Sequence, residues 1–205
     1  MLGTLMNRLI RRILQRFSSY DERTYWSARS DPNSPAGWHD ETLQHDIAYI
    51  REHLRGCREI LEFGPGVGRT LPAHSRETRI TGYDITGNYR DRLLLRAHGL
   101  RLDLTLDVAH EHAEGLPYAD GSFDAAVASA VLQHQRPERI EQVMRELARV
   151  GGKVIVIASH CGSARRTRAT HSFQHDYAAI CARIGCAVEH AHTDKGRRYF
   201  VYRNV

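Results

Sequence analysis

Several kinds of feature are missing from this 205-residue sequence, and each absence excludes a class of protein. No apolar run reaches the roughly 20 residues that a membrane-spanning helix needs, and arginines interrupt residues 1–17, where a signal peptide would be uniformly apolar. The four cysteines show neither disulfide-framework nor zinc-ribbon spacing: Cys57, Cys161, Cys181 and Cys186. Internal repeats and low-complexity segments are also missing. We therefore expect a globular protein of a reducing, cytoplasmic compartment.

The composition allows one sizeable core. Hydrophobic residues make up 41% and charged residues 26% of the chain, which suits a single domain of ordinary size. The net charge of +5 is mildly basic and permits an anionic partner. Turn-forming residues in SDPNSPAGW, near residue 35, divide the chain into an N-terminal arm, residues 1–35, and a main domain, residues 36–205.

Strand and helix patterns alternate from residue 58 onward. Five apolar segments predict strands: REILEFG, RITGYDI, LRLDLTLDV, FDAAVASAV and KVIVIAS. Three segments have helical spacing: NYRDRLLLRAH closed by Gly99, PERIEQVMRELARV opened by Pro137, and FQHDYAAICARI. CAVEHAH and RRYFVYR, joined by TDKG, predict a hairpin. This order predicts an α/β, Rossmann-like doubly wound sheet of about seven strands, mostly parallel and ending in an antiparallel hairpin.

The first strand is followed by a glycine-rich loop, in EILEFGPGVGRT. In a doubly wound sheet, ligands bind beyond the carboxyl ends of the strands. Gly64 and Gly66 would let the backbone approach a ligand, and Gly68 would allow close packing of the following segment. Glu62 precedes this loop, and Asp84 ends the next strand, near the spacing at which an acid accepts ribose hydroxyls.

The loop departs from the dinucleotide pattern G-x-G-x-x-G, because its glycines read G-P-G-V-G. Glu62 would repel a diphosphate, whereas it suits a cofactor that carries an ammonium group. Two alternatives stay open at this point: a NAD-dependent oxidoreductase on the same fold class, and a tight turn that serves packing only.

Three segments are decisive: AEGLPYADGSFDAAVASAVLQH (residues 113–134), LEFGPGVGRT and ELARVGGKVIVIAS. With them the chain resembles the class I S-adenosylmethionine-dependent methyltransferases, in particular the subgroup with an LPF-x-D-x-SFD signature. The resemblance covers about residues 58–160, with four motifs in the expected order. It implies a methyltransferase in which Glu62, Gly64 and Gly66 hold the methionine end of the cofactor and Asp84 the ribose. The full implied cofactor set is Glu62, Gly64, Pro65, Gly66, Asp84, Ile85, His112, Ala113 and Ser129, with Ala130 bordering it.

One position of the adenine site departs from this family. An aspartate usually stands directly before the AExLPF segment, and this chain has His112 there. A neutral imidazole can accept a bond from the adenine amino group in one tautomer, or Asp107 can accept it from a shifted register. The same departure favours a third alternative, a catalytically silent methyltransferase-like binding protein.

Methyl transfer to a hydroxyl needs a base, so histidines at strand ends are the candidates. His134 follows the fourth strand, although the family often has histidine there without a catalytic duty, and His160 ends the fifth. His175 and Asp176 follow in the next segment, where Asp176 can equally cap a helix. These four residues are the predicted catalytic set.

Metal and nucleic acid are not expected. Two histidine pairs, His171 with His175 and His190 with His192, have suitable spacing, but no acid-rich cluster accompanies them. The N/D-P-P-Y/F stretch with which base methyltransferases grip their target is replaced here by ASAVLQH. The predicted reaction is O-methylation of a small-molecule, sugar or glycan acceptor, including a lipid-linked one.

The N-terminal arm and one later loop suggest further contacts. YWSARS resembles the family segment that folds over the cofactor, so Tyr25 and Trp26 would shield the sulfonium and Arg29 would pair with the cofactor carboxylate, unless the aromatic pair only packs. Residues 1–17 predict a basic amphipathic helix that contacts a membrane surface, a second subunit or its own domain. SARRTRATH predicts an acceptor with an anionic group.

Overall fold

The computed structural model describes residues 20–29, 41–109, 115–159, 171–194 and 196–205. The described helices are α1 (Glu22–Ser27), α2 (Glu41–His53), α3 (Arg90–Leu100), α4 (Ile140–Val150) and α5 (Tyr177–Arg183). The strands are β1 (Glu59–Phe63), β2 (Arg79–Asp84), β3 (Asp103–Val108), β4 (Ala125–Ser129), β5 (Val154–Ser159), β6 (Cys186–Asp194) and β7 (Arg197–Asn204). Within the described ranges, no helix is long and apolar enough to cross a membrane.

The seven strands form one sheet in the order β3-β2-β1-β4-β5-β7-β6. The first five strands pair in parallel, while β7 is antiparallel to both β5 and β6. The predicted fold class is therefore confirmed. The chain leaves β1 toward β2 on one side and later returns to β4 on the other, so the topology switches direction between β1 and β4. Ligands of such sheets bind at that switch point, beyond the carboxyl ends of the strands.

The central strands are buried on both faces, as their uninterrupted apolar sequences predict. Along β5, Val154 and Val156 face a core that contains residues of α4 and α5, whereas Ile155 and Ile157 face a core that contains residues of α2. Helices thus cover both faces of the sheet, and its carboxyl edge is left as the place for a site.

Three helix boundaries differ from the prediction. Helix α3 does not end at Gly99 but continues to Leu100, and Arg101 closes it with a φ of 58°. Pro137 does not open α4, which begins at Ile140 after a turn. Helix α5 starts only at Tyr177, because the Asp176 side chain accepts a bond from the Ala179 N–H and caps the first turn.

Candidate active site

A cavity of about 600 Å³ opens where β1, β2 and β4 end. Every implied cofactor residue of the glycine loop and the strand ends that the structure describes lines this cavity: Glu62, Gly64, Pro65, Gly66, Asp84, Ile85 and Ser129. His112 and Ala113 lie outside the described residues. The cavity has the size and the position of a cofactor and substrate site of an α/β sheet.

The glycine loop is shaped by two different requirements. At Gly64, an added Cβ would come within 2.4 Å of the Val131 side chain, so this position needs glycine for packing against the segment after β4. At Gly66, where φ is +53°, an added Cβ would meet no atom within 4 Å. Because Gly66 lines the cavity, the open space beside it is the space that a ligand can approach closely.

Asp84 holds the glycine loop in place. One carboxylate oxygen accepts a bond from the Gly66 N–H at 3.1 Å, and the other accepts one from the Thr86 N–H at 3.1 Å. Burial raises the pKa of Asp84, while these backbone N–H groups act against that rise. The carboxylate thus joins the end of β2 to the loop after β1 and still faces the cavity, as an acceptor of ribose hydroxyls would.

Glu62 has a partner that the sequence did not reveal. His74, just after the short 3₁₀ turn Leu71–Ala73, places its Nε2 at 2.5 Å from Glu62 Oε1, and both side chains are buried. Since a carboxylate only accepts, the imidazole donates to it. His74 thereby fixes the rotamer of an acid that lines the cavity. The only signal in the sequence was a histidine twelve positions after Glu62, a separation with no local meaning.

Helix α1 lies along the cavity and is tied to both of its sides. On the β2 side, Asn88 Nδ2 donates to the Ser27 carbonyl at 2.5 Å. On the β4 side, the Arg136 N–H donates to the Glu22 carboxylate at 3.1 Å. The helix therefore spans the space between the two sides. That position is the one the resemblance implies for a covering segment, and the covering role stays a prediction.

Aromatic rings from α1 gather beside His171. Trp26 and Arg29 line the cavity, whereas Tyr25 lies behind them and stacks on the His171 ring at 4.6 Å between centroids. Arg29 Nη1 donates to the Tyr25 hydroxyl at 2.6 Å, and its guanidinium lies 5.1 Å from the centre of that ring. Burial and the charge of Arg29 lower the pKa of His171. This cluster forms an aromatic wall beside His134.

His134 is the predicted catalytic residue that the structure places at the cavity. Its Nδ1 lies 2.7 Å from the His171 carbonyl oxygen. A carbonyl only accepts, so Nδ1 carries a proton, and in the neutral ring the lone pair is then on Nε2. The Trp26 ring packs edge-on against this imidazole at 4.9 Å between centroids and restricts its orientation. His134 is thus an oriented imidazole in the tautomer that a base requires.

His175 and Asp176 do not line the cavity, and both make other contacts in the structure. His175 Nε2 donates to the Gln135 carbonyl at 3.0 Å, and burial lowers its pKa to about 4. Asp176 caps α5 instead. Asp107, the alternative adenine partner, is exposed and accepts from the Tyr118 hydroxyl at 2.7 Å, away from the cavity. His160 lies outside the described residues.

The LPYADGSFD segment is hydrogen-bonded to α4, and most of it does not line the cavity. Arg149 donates to the carbonyls of Leu116 and Tyr118 and to the Asp120 carboxylate. Asp124 accepts from the N–H groups of Arg58, just before β1, and of Glu59, its first residue, at 2.7 and 3.0 Å, and those bonds lower its pKa. The acids of this signature therefore stabilise the scaffold that carries the site.

Among the described side chains, no group of three or more histidines, cysteines and acids could hold a metal ion. His190 and His192 instead join an aromatic cluster with Tyr49 and Tyr199, in which the His192 ring stacks on Tyr199 at 4.7 Å. Burial and the neighbouring His190 and His45 lower the pKa of His192.

Residues 61–156 match the family model described as a methyltransferase domain. A phosphatidylethanolamine N-methyltransferase of Cereibacter sphaeroides is 30% identical over 106 residues, which cover 51% of this chain and 52% of that protein. The chain thus spans about half the length of this relative. The domain match spans the glycine loop, β2 and β4 that border the cavity, so this part of the chain is similar to a methyltransferase domain.

Solved structures share the fold at low identity. The PH0226 protein of Pyrococcus horikoshii OT3 has a TM-score of 0.67 at 15% identity, and the likeness covers 91% of this chain and all (100%) of that one. Magnesium protoporphyrin IX methyltransferase of Synechocystis PCC 6803, solved with bound SAH, has a TM-score of 0.64 at 15% identity, covering 97% and 99% of the two chains. These likenesses show that the chain shares its α/β fold with these two structures.

Proposed function

We propose that this protein transfers the methyl group of S-adenosylmethionine to an oxygen atom of a small-molecule or sugar acceptor, including a lipid-linked one. The observation that carries the proposal is His134, which stands at the cavity with its Nδ1 donating to the His171 carbonyl. In the neutral ring that bond puts the lone pair on Nε2, which is the atom that would take the proton of an acceptor hydroxyl.

When bound, S-adenosylmethionine would supply an electrophilic methyl group to the acceptor oxygen. The carbon–oxygen bond would form as the carbon–sulfur bond breaks, and the electron pair of the broken bond would stay on sulfur as S-adenosylhomocysteine leaves. The hydroxyl proton passes to His134 Nε2 and then to solvent. The sulfonium is already a strong electrophile, so the protein contributes orientation, exclusion of water and the base.

Helix α1 and its aromatic residues supply the orientation and the cover. Trp26 packs against the candidate base and lines the same cavity, so an acceptor there would contact both. The implied role of Arg29 toward the cofactor carboxylate is consistent with its place in the cavity wall.

A second candidate is N-methylation of an amine-bearing lipid headgroup. The observation in its favour is the phosphatidylethanolamine N-methyltransferase, which is 30% identical over 106 residues. In that reaction the same imidazole would take a proton from the ammonium group before attack, because only the neutral amine has a lone pair to form the new carbon–nitrogen bond. The proposed membrane contact of residues 1–17, which lie outside the described residues, would serve either lipid-linked acceptor.

Incubation of the full chain with isotopically labelled S-adenosylmethionine and a metabolite and lipid extract would separate the candidates. We expect a labelled product whose fragmentation places the methyl group on oxygen. A label on an amine nitrogen would favour the second candidate. Label only in protein or nucleic acid would contradict both, and S-adenosylhomocysteine binding without turnover on any pool would favour a silent binding protein.

A further inference from the structure

A buried carboxylate lies behind the end of the cavity that is farthest from the ribose side. Asp46, on α2, has no exposed side-chain surface. It accepts from Arg197 Nη1 at 2.5 Å and from the Tyr199 hydroxyl at 2.8 Å. These bonds fix the guanidinium of Arg197, whose side chain is 17% exposed and lines the cavity.

A second guanidinium belongs to the same group. Arg69, just after the glycine loop, is close enough to Asp46 to act against the rise in its pKa that burial causes, as Arg197 also does. Arg69 lines the cavity too. Arg197 is paired with the buried carboxylate and Arg69 acts on the same carboxylate through its charge, so two guanidiniums lie at this part of the cavity wall.

The sheet order separates this group from the ribose side of the site. Arg197 begins β7, opposite the last residue of β5, whereas Asp84 ends β2. Four strand-to-strand steps lie between β2 and β7, which corresponds to about 19 Å at the usual strand spacing. If Asp84 binds the ribose, the methionine end of the cofactor would lie between β2 and β7. Arg197 would then lie beyond that end, where the acceptor would bind.

We propose that Arg69 and Arg197 form a subsite for an anionic group of the acceptor, a phosphate or a carboxylate. The inference rests on the proposed function in that it assigns the bound anion to the methyl acceptor. Guanidinium groups suit the planar, two-oxygen edge of either anion, and a guanidinium held by a buried carboxylate loses little freedom on binding. The buried Asp46 is then a positioning residue and does not touch the acceptor.

The test is calorimetry of the full chain, saturated with S-adenosylhomocysteine, against inorganic phosphate and, separately, acetate. Arg69→Gln should weaken binding of the preferred anion roughly ten- to hundredfold, as loss of a charged hydrogen bond does. Removing Arg197 alone would leave Asp46 buried without its partner, so the second variant is the pair Arg197→Gln with Asp46→Asn. Arg76→Gln, an exposed position outside the cavity, is the matched control.

The variants should bind S-adenosylhomocysteine and 5′-methylthioadenosine, which lacks the amino-acid carboxylate, as tightly as the parent does. Anion binding that is unchanged in both cavity variants would overturn the subsite. Weaker binding of S-adenosylhomocysteine but not of 5′-methylthioadenosine would also overturn it, because the arginines would then hold the cofactor carboxylate. None of these measurements depends on turnover. Failure of the anion subsite can therefore be told apart from failure of the proposed methyl transfer.

Discussion

The two halves of the cavity are built in different ways. The half at β1 and β2 is held by bonds within a short stretch of chain, such as that between the Gly66 N–H and Asp84, 18 positions apart. The half at β4, β5 and β7 depends on side chains from distant segments, such as Tyr20 with His134, 114 positions apart, and Arg197 with Asp46, 151 positions apart. The first half presents glycine backbone, two carboxylates and the Arg69 guanidinium to a ligand, and the second presents rings, an imidazole and the Arg197 guanidinium. Under the proposed function, the first half would hold the cofactor and the second the acceptor.

The largest expected effect separates the halves by chemistry. His134→Gln removes the proposed base, so kcat should fall about 10²–10⁴-fold while affinity for S-adenosylhomocysteine stays the same. Steady-state kinetics with the acceptor identified in the extract, together with calorimetry, would measure both. His98→Gln, at an exposed position of α3, should change neither. A parallel loss of cofactor affinity would assign His134 to the cofactor half instead.

The next effect concerns the cofactor half alone. In Gly66→Ala, the new methyl group would occupy the space in which the ligand approaches, so affinity for S-adenosylhomocysteine should fall at least about tenfold, or ~1.4 kcal/mol. Gly121→Ala is the matched control, because Gly121 also has a positive φ and open space but lies outside the cavity. Both variants should lose about 1–2 kcal/mol of stability through left-handed strain. Equal cofactor affinity in the two variants would mean that Gly66 is needed for the turn only.

Asp84→Asn tests the acid of the same half. The amide keeps the shape but loses the charge that would accept ribose hydroxyls, so cofactor affinity should fall by about 1–3 kcal/mol. Asp107→Asn, at the end of the neighbouring strand and outside the cavity, should have no such effect. Isothermal titration with S-adenosylhomocysteine would compare them, and a result in which only Asp107→Asn weakens binding would reverse the assignment of the two acids.

The smallest effect is a pH dependence of the acceptor half. His175 donates to the carbonyl of Gln135, the residue after His134, and burial lowers the pKa of His175 to about 4. At His175, the unfolded chain therefore binds a proton more readily than the folded chain does. The stability that the neutral, buried His175 contributes is complete above about pH 6.5 and is lost as the pH falls toward 4. Between pH 7 and pH 5 the loss should be about 1–2 kcal/mol from this group.

Urea unfolding at the two pH values would measure this loss. His53, His171 and His192 also have lowered pKa values and act in the same direction, so the comparison has to be made against His175→Gln. That variant should retain a smaller pH dependence than the parent. An identical pH dependence in parent and variant would contradict the role given to His175.

The same division explains what could be read from the sequence. The glycine loop, its flanking Glu62 and the acid at the end of β2 follow one another along the chain, and the strand pattern around them places them at one edge of the sheet. That these residues meet at one edge of the sheet was predictable, and their roles toward a cofactor stay predictions. A mostly parallel sheet of about seven strands was predictable for the same reason, because apolar runs alternate with helical spacing and the last two strands form a hairpin.

The acceptor half could not be read in that way. Arg197 and Tyr199 reach Asp46 only in the folded sheet. The same holds in the other half for His74 beside Glu62. A search for histidines near strand ends selected His175 as readily as His134, since spacing does not tell a buried hydrogen-bond donor from an imidazole at a cavity wall. The sequence around Asp176 was compatible with a helix cap and with a catalytic acid, and in the structure Asp176 caps α5.

The most direct test of a methyltransferase cofactor site is calorimetry of the full chain with S-adenosylhomocysteine and, in a separate titration, with NADH. Glu62 and the G-P-G-V-G loop favour a cofactor with an ammonium group over one with a diphosphate. We expect binding of S-adenosylhomocysteine, with no detectable heat from NADH at the same concentrations. Binding of NADH without binding of S-adenosylhomocysteine would contradict the site assignment and favour an oxidoreductase on the same fold.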